Sequence, residues 1–498
     1  MKKYLLLSVL GLSLVACQKD EVLNFQNDPQ AFEFKEVGSI TLGGLGASEI
    51  SAFDPITKKL FVVNNSDINR IDVLDLKEPS KPVVIGKILM EPYGGYVNSL
   101  SVSNGKLAAA IEAKIKQNVG KCVIFNTSDL SEIKQVTVGA LPDMVTFSPD
   151  GAFIMTANEG EPSDDYTNDP EGSVSVINVA AGYTVKTLNF AGFESYASIL
   201  KKKGFRVFGP KATLVKDVEP EYITISGDSK TAWVTLQENN AIAKIDLNLQ
   251  VITDIFPLGF KDYGFANNAF DLSDKDSKIG FSVNPKVKGM YMPDAIAVFE
   301  KDGIPYLFTA NEGDSREYAG FVEMKRVKDL VLDFNNFPNG ASLKADAILG
   351  RLNVTTTLGD TDGDGDFDEL YSLGGRSMTV WNGMTGAQIY DTQNEVDQRS
   401  IAAGLYDDAR SDDKGSEPEG ITIGQIGNRT YAFLGCERTD ALQIYDITNP
   451  RFPSFIMTLK TGDAPEGVLF VSADKSPNGK PLLIVSSEND GQVKFYSL

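Results

Sequence analysis

Pro142-Asp143-Met144-Val145-Thr146-Phe147-Ser148-Pro149-Asp150-Gly151 is the stretch on which the fold turns. An acid opens it, alternating apolar residues follow, and Ser-Pro-Asp-Gly closes it with a tight turn. That is the pattern of a half-buried strand entering a hairpin. The unit recurs at Pro220-Glu221-Tyr222-Ile223-Thr224-Ile225 with Ser226-Gly227-Asp228, and opens again at Pro293-Asp294-Ala295-Ile296, Pro418-Glu419-Gly420-Ile421 and Pro465-Glu466-Gly467-Val468. Weaker copies begin at Glu49-Ile50 and Asn98-Ser99, and third strands such as Ser173-Val174-Ser175-Val176-Ile177-Asn178 and Leu442-Gln443-Ile444-Tyr445-Asp446 match as well. Units of about 45 residues carrying four strands are the pattern of propeller blades. Seven copies predict an all-β chain folded as a seven-bladed β-propeller. The last copy stops after its third strand, at Leu498. The segment Phe32-Glu33-Phe34-Lys35-Glu36-Val37-Gly38-Ser39-Ile40-Thr41-Leu42 is therefore expected to supply the missing outer strand, closing the ring and covering a free edge.

The units open at 49, 98, 143, 221, 294, 419 and 466, so their spacing is uneven. The excess falls in residues 160–172, 190–217, 261–292, 313–375 and 397–416. Each segment leads into a first strand or joins a second strand to a third, and in a four-stranded blade those loops emerge on one face. Loops that long in a compact fold are usually functional. The opening acids Glu49, Asp143, Glu221, Asp294, Glu419 and Glu466, with Asn98 in the seventh place, fall on the same face near the channel mouth. A second series, Glu112, Glu159, Glu238, Glu312, Glu437 and Glu488, ends the second strands. Two rings of carboxylates repel unless cations or protons intervene. The simpler role for each acid is to bond a neighbouring backbone N–H.

Asp360-Thr361-Asp362-Gly363-Asp364-Gly365-Asp366-Phe367-Asp368 has the D-x-D-x-D-G spacing of a calcium loop. Asp360, Asp362, Asp364, Asp366 and Asp368 are its candidate ligands, and Gly365 permits the sharp turn. Position 12 of an EF-hand would be a bidentate Glu, whereas here it is Tyr371, and the flanks read as strand. The loop is expected to be helix-free, to take calcium as the cofactor, and to serve structure more than catalysis.

The 498 residues carry a net charge of −21 and no histidine. This disfavours nucleic acid as a partner and removes histidine-based triads, His-ligated zinc and a histidine general base. Lys2 and Lys3 precede an apolar run ending in Leu14-Val15-Ala16-Cys17. Residues 1–16 read as a signal peptide, too short to span a bilayer. The Leu-Val-Ala-Cys ending resembles a lipoprotein lipobox, making Cys17 the lipidation site, 17–31 a tether and 32–498 the propeller, with the calcium loop in the 313–375 insertion. Gln18-Lys19-Asp20-Glu21 resembles an export signal to the outer face of the outer membrane. The expectation is an outer-membrane lipoprotein exposed at the cell surface, monomeric, touching the membrane through its lipid alone. Cys122 and Cys436 lie in or beside apolar strands and are expected to be buried free thiols.

Arg316, Arg376 and Arg438 fall on the elaborated face. A guanidinium beside an acid-bound cation is what phosphate-ester recognition needs. Asp294, Glu419, Glu312, Arg316 and Arg376 are the catalytic candidates on that reading. The alternative is that each Arg pairs with a ring carboxylate.

Tyr291-Met292-Pro293-Asp294-Ala295-Ile296, Thr309-Ala310-Asn311-Glu312-Gly313-Asp314-Ser315-Arg316-Glu317-Tyr318, the Asp loop with Gly374-Gly375-Arg376-Ser377, and Glu417-Pro418-Glu419-Gly420-Ile421 together resemble the choice-of-anchor I family. The resemblance runs from about residue 32 to the end. It implies a secreted or surface propeller with varied anchoring devices, often described as alkaline-phosphatase-like or as a surface glycoprotein, and supplies no catalytic residues to carry over. A fainter similarity is to calcium-dependent propeller phytases, on fold and acid pattern only. Two functions follow as expectations: a surface-anchored, calcium-binding propeller that binds a ligand or partner on its acidic face, or a calcium-dependent phosphoesterase using the acid ring.

Overall fold

Strand pairing in the computed structural model, which describes residues 32–498, repeats one plan. Seven sheets have four antiparallel strands each. Their innermost strands are Ser51–Asp54, Val97–Ser103, Pro142–Phe147, Pro220–Ile225, Ile296–Lys301, Pro418–Ile426 and Pro465–Val471. Each innermost strand adjoins the next in that order, and the last returns to the first. The architecture is an all-β propeller. Apolar side chains of facing sheets form the core, as in the cluster of Met155, Val174, Val176, Ile223, Val234 and Ile245 between the third and fourth sheets. The sheets twist and stack on such clusters, so burial rather than loop chemistry sets their spacing.

The last sheet draws on both ends of the described chain. Lys35–Thr41 pairs antiparallel with Gln492–Ser497, with Ile40 opposite Val493. Just before this strand Phe34, 2% exposed, meets the ring of Phe433 edge to face at 5.7 Å, and Phe433 stacks on Phe470. The closing strand is thereby locked to the sixth sheet as well as the seventh. Cys122 and Cys436 are buried free thiols. Among the described residues no helix is long and apolar enough to cross a membrane. Cys17, with the residues 1–31 read as signal and tether, lies outside the described residues.

The long insertions carry structure of their own. Residues 190–217 hold a 3-10 turn and two short helices, and residues 397–416 begin inside the helix Glu395–Ala402. The two largest insertions fold together. Phe260–Asp262 and Val287–Met290, which lie between the fourth and fifth sheets, share a three-stranded sheet with Leu370–Ser372 from inside the fifth. Tyr263, Phe270, Val327, Leu349, Leu352 and Leu370 form a separate core beneath it.

Phe34→Ala removes a buried ring from the closing lock. It is expected to destabilise the chain by about 3–4 kcal/mol, read as a lower urea midpoint. An unchanged midpoint would show that closure does not depend on this contact.

Candidate carboxylate crown at the channel mouth

Pro-Asp or Pro-Glu at the start of an innermost strand has a mechanical consequence. The pairing register slips at Pro142/Met144, Pro220/Ile223, Pro418/Ile421 and Pro465/Gly467, and likewise at Val97/Ser99. Asp143, Glu221, Glu419, Glu466 and Asn98 therefore sit in β-bulges, which re-aim a side chain out of the ladder. The residue before the proline is left-handed at four openings: Leu141, Met292, Glu417 and Ala464 all have φ between 43° and 56°. A residue before proline prefers extended backbone, so these turns store strain of the kind that collects at functional sites.

The second series meets the first here. Asp143, Glu159 and Glu221 bring carboxylate oxygens within 4.8 Å of one another, and so do Asp294, Glu312 and Glu419. Each trio joins the opening acid of one sheet, the Glu ending that sheet's second strand, and the opening acid of the next sheet. The two are copies of one device. Thr156-Ala157-Asn158-Glu159-Gly160 and Thr309-Ala310-Asn311-Glu312-Gly313 are the same five residues. In the first, Asn158 takes a hydrogen bond from Thr156 at 2.8 Å and donates to Ser173 and Ser175. In the second, Asn311 takes one from Thr309 at 2.9 Å and donates to Ser377 and Thr379. Both knots are buried, and each fixes the strand end from which its Glu projects.

Charge at the crown is unbalanced. Burial and neighbouring carboxylates push Glu159, Glu221, Asp294, Glu419 and Glu466 well above the ordinary carboxylate range. Burial first, with Glu488 and Asp143 adding, raises Glu49 to about 8. Glu437 rises to about 7 and Asp143 to about 6, again chiefly through burial. Glu312 is the exception. Burial pushes it up, but Lys414 and a hydrogen bond from Gln237 at 2.9 Å hold it below its ordinary value. Lys414 comes from the 397–416 insertion, and its Nζ lies 2.7 Å from Glu312 and 3.1 Å from Glu417. Arg438 reaches Glu437 at 2.8 Å and Glu417 at 3.4 Å. Among the described residues, ion pairs reach Glu312 and Glu437 in the two acid series and no other member.

The other arginines point elsewhere. Arg316, 3% exposed, pairs with Asp217 at 2.6 Å and Glu219 at 3.0 Å, over the ring of Phe208. Arg376, 2% exposed, donates to the carbonyls of Ser411 and Asp413 and lies over Phe270. Arg206, unremarked in the sequence, pairs with Glu323. These side chains are straps between insertions: 206 to 323, 316 to 217, 376 to 411 and 413. Of the three sequence candidates, only Arg438 pairs with a ring carboxylate.

Beneath the crown a cavity of about 320 Å³ is lined by inner-strand residues of all seven sheets, Ser51, Ser99, Thr146, Thr224, Ala297, Thr422 and Val468 among them. Asp143, Asp294 and Glu466 line a small cavity of about 50 Å³ with Asn98 and Tyr222. An open recess of about 430 Å³ is bounded by Glu49, Asp143 and Glu466, the amides Asn65 and Asn98, and Tyr96. Asn65 donates to Glu49 at 3.1 Å.

The aspartate loop is distributed over two groupings. Asp360, Asp362 and Asp368 cluster, and Asp366 and Asp368 cluster with Asp333, which lies outside the motif. Asn336 bridges Asp333 and Asp368 at 2.7 and 3.0 Å. Asp364 belongs to neither grouping and accepts the N–H of Asp366. Asp360 accepts the N–H groups of Gly363 and Gly365, both left-handed. An all-oxygen set on an exposed turn suits a hard cation.

Two consequences follow for stability. Glu49 binds its proton more tightly folded, at about 8, than at its ordinary 4.5. Its contribution is full below the lower value and is lost as pH rises through the higher one. Glu49→Gln is expected to recover on the order of 1–3 kcal/mol at pH 8 and nothing at pH 4, read as melting temperature against pH. Lys414→Met leaves Glu312 and Glu417 without their shared cation and is expected to cost about 3–5 kcal/mol. A cost below about 1 kcal/mol would place Lys414 among ordinary surface pairs.

The chain matches the choice-of-anchor I domain over residues 49–450. Gigasin-3a of Magallana gigas is 32% identical over 189 residues, 31% of this chain and 66% of that protein. A mesenchyme-specific cell surface glycoprotein of Strongylocentrotus purpuratus is 24% identical over 317 residues, 53% of this chain and 40% of that protein. The chain spans less than two thirds of either relative. Kuenenia stuttgartiensis hydrazine synthase superposes with a TM-score of 0.50 at 13% identity, covering 91% of this chain and 96% of that one. The β-propeller domain of Myceliophteria thermophila Cps50 (Swd1) gives 0.47 at 10% identity over 92% and 99%. The likeness to hydrazine synthase, at 13% identity, concerns the fold alone. The domain match spans most of the chain, and this protein belongs to the choice-of-anchor I family.

Proposed function

We propose that this chain is a seven-bladed, calcium-binding propeller, held at the cell surface, that takes a ligand or partner on its insertion-bearing acidic face. The observation that carries the reading is the open recess of about 430 Å³ at the crown, lined by the partly buried Glu49, Asp143 and Glu466 beside two amides and Tyr96. Carboxylates without basic partners select a cationic ligand, or an anionic one bridged by a metal ion. Family membership and the cell-surface relative support the location. Lipidation at Cys17, export to the outer membrane and a monomeric state belong to the same proposal.

Calcium would be held by Asp360, Asp362 and Asp368, with Asp333 and Asp366 as further donors. There it would neutralise a crowded turn that ties residues 331–333 to 366–368. The phosphoesterase reading gains nothing from the geometry. Arg316 is taken up by Asp217 and Glu219, and Arg376 is buried against Phe270 and the carbonyls of Ser411 and Asp413.

Calcium is expected to raise the melting temperature of the purified chain, and Asp360→Asn with Asp362→Asn to reduce that rise. Phosphomonoesters and phosphodiesters are expected to remain uncleaved with calcium present. Calcium-dependent turnover lost on Asp294→Asn or Glu419→Gln would replace the binding reading with the enzyme. On cells, Cys17→Ser is expected to release the protein from the membrane fraction.

A further inference from the structure

The two carboxylate trios are built alike and neutralised differently. At Asp294–Glu312–Glu419 the chain supplies its own cation, Lys414, 2.7 Å from Glu312. At Asp143–Glu159–Glu221 no ion pair reaches any of the three acids among the described residues. The nearest lysine to bear on Glu159, Lys116, is paired with Glu161. Three partly buried carboxylates within 4.8 Å thus stand where the sister site needs a lysine.

A second observation comes from the next sheet round. Glu238 ends the second strand of the fourth sheet and is 6% exposed. Its Oε2 is buried without a hydrogen-bond partner, and its charge bears on both Glu159 and Glu221. A buried carboxyl oxygen left unsatisfied marks a missing partner, and Glu419 Oε2 in the sister trio is another, beyond the reach of Lys414. Buried waters satisfy single oxygens, but they do not offset three clustered carboxylates.

We infer that Asp143, Glu159 and Glu221, with Glu238 beside them, form a site for one hard divalent cation of the calcium class, separate from the aspartate loop. The donors are all carboxylate oxygens, which suit calcium or manganese and disfavour soft metals. They come from the bulges and strand ends of two neighbouring sheets. The cation would therefore clamp the third sheet to the fourth, as Lys414 joins the fifth sheet to the insertion preceding the sixth. The Thr-Ala-Asn-Glu-Gly knot holds Glu159 in place before any ion arrives, which lowers the ordering cost of binding.

The test uses the full chain in detergent with the aspartate loop disabled by Asp360→Asn, Asp362→Asn and Asp368→Asn. Equilibrium dialysis against calcium, and against manganese followed by its electron paramagnetic resonance, should find one ion per chain still bound. Adding Glu159→Gln should weaken it about tenfold or more, while Glu437→Gln, which leaves all four acids intact, should not. Loss of all binding in the loop-disabled chain, or residual binding indifferent to Glu159→Gln, overturns the inference. If Glu159→Gln fails to fold, crystals of the unaltered chain grown with manganese decide the matter. An anomalous scattering peak among Asp143, Glu159 and Glu221 supports the site, and its absence at saturating manganese overturns it. The loop can fail to bind calcium while this site binds, so the two readings stand or fall separately.

Discussion

Electrostatic crowding at the channel mouth is the constraint around which the rest of this molecule is arranged. A propeller brings the openings of its innermost strands close to one axis, and here six of the seven openings are acids. At four of them, Asp143, Glu221, Glu419 and Glu466, proline and a β-bulge turn the side chain out of the ladder, and left-handed residues before several of the prolines hold the turn at an energetic cost. A fold that strains its backbone to gather like charges must compensate them. One sector does so with Lys414 and Arg438. Elsewhere protons or solvent cations must serve, and the raised carboxylates record that demand.

The insertions make sense against this background. They leave the chain at five places, and those at 190–217, 313–375 and 397–416 are cross-tied by Arg206, Arg316 and Arg376. Guanidinium suits the task because it stays charged when buried and bridges several acceptors at once. The straps turn long loops into a rigid collar with a core of its own under Tyr263 and Leu370. They also explain why the arginines offer little to an outside anion. Arg316 is spent on Asp217 and Glu219, and all three guanidiniums are buried within the collar.

Strands, unit starts and the aspartate loop were legible in the sequence because each is a local pattern. Alternation at period two and the Pro-Asp or Pro-Glu openings lie within a few residues. Lys35–Thr41 was legible for another reason: a final unit with three strands needs a fourth. What escaped reading is what joins distant segments. Arg316 finds Asp217 across 99 residues and Lys414 finds Glu312 across 102, and no periodicity marks such pairs. Asp333 joins Asp366 and Asp368 from outside the motif for the same reason. The repeated Thr-Ala-Asn-Glu-Gly at 156–160 and 309–313, by contrast, is a local signal that marks the twin trios.

This face carries more carboxylate groups than its own bases offset, and protons fill the gap until a cation displaces them. A pH-stat measurement tests this most directly: calcium is added to metal-free protein at pH 6.5 in unbuffered salt, and the protons released are counted. Release is expected to persist when the aspartate loop is disabled, because burial and neighbouring carboxylates push Glu159 and Glu221 well above the ordinary range. Calcium binding with no proton release from the loop-disabled chain would contradict it.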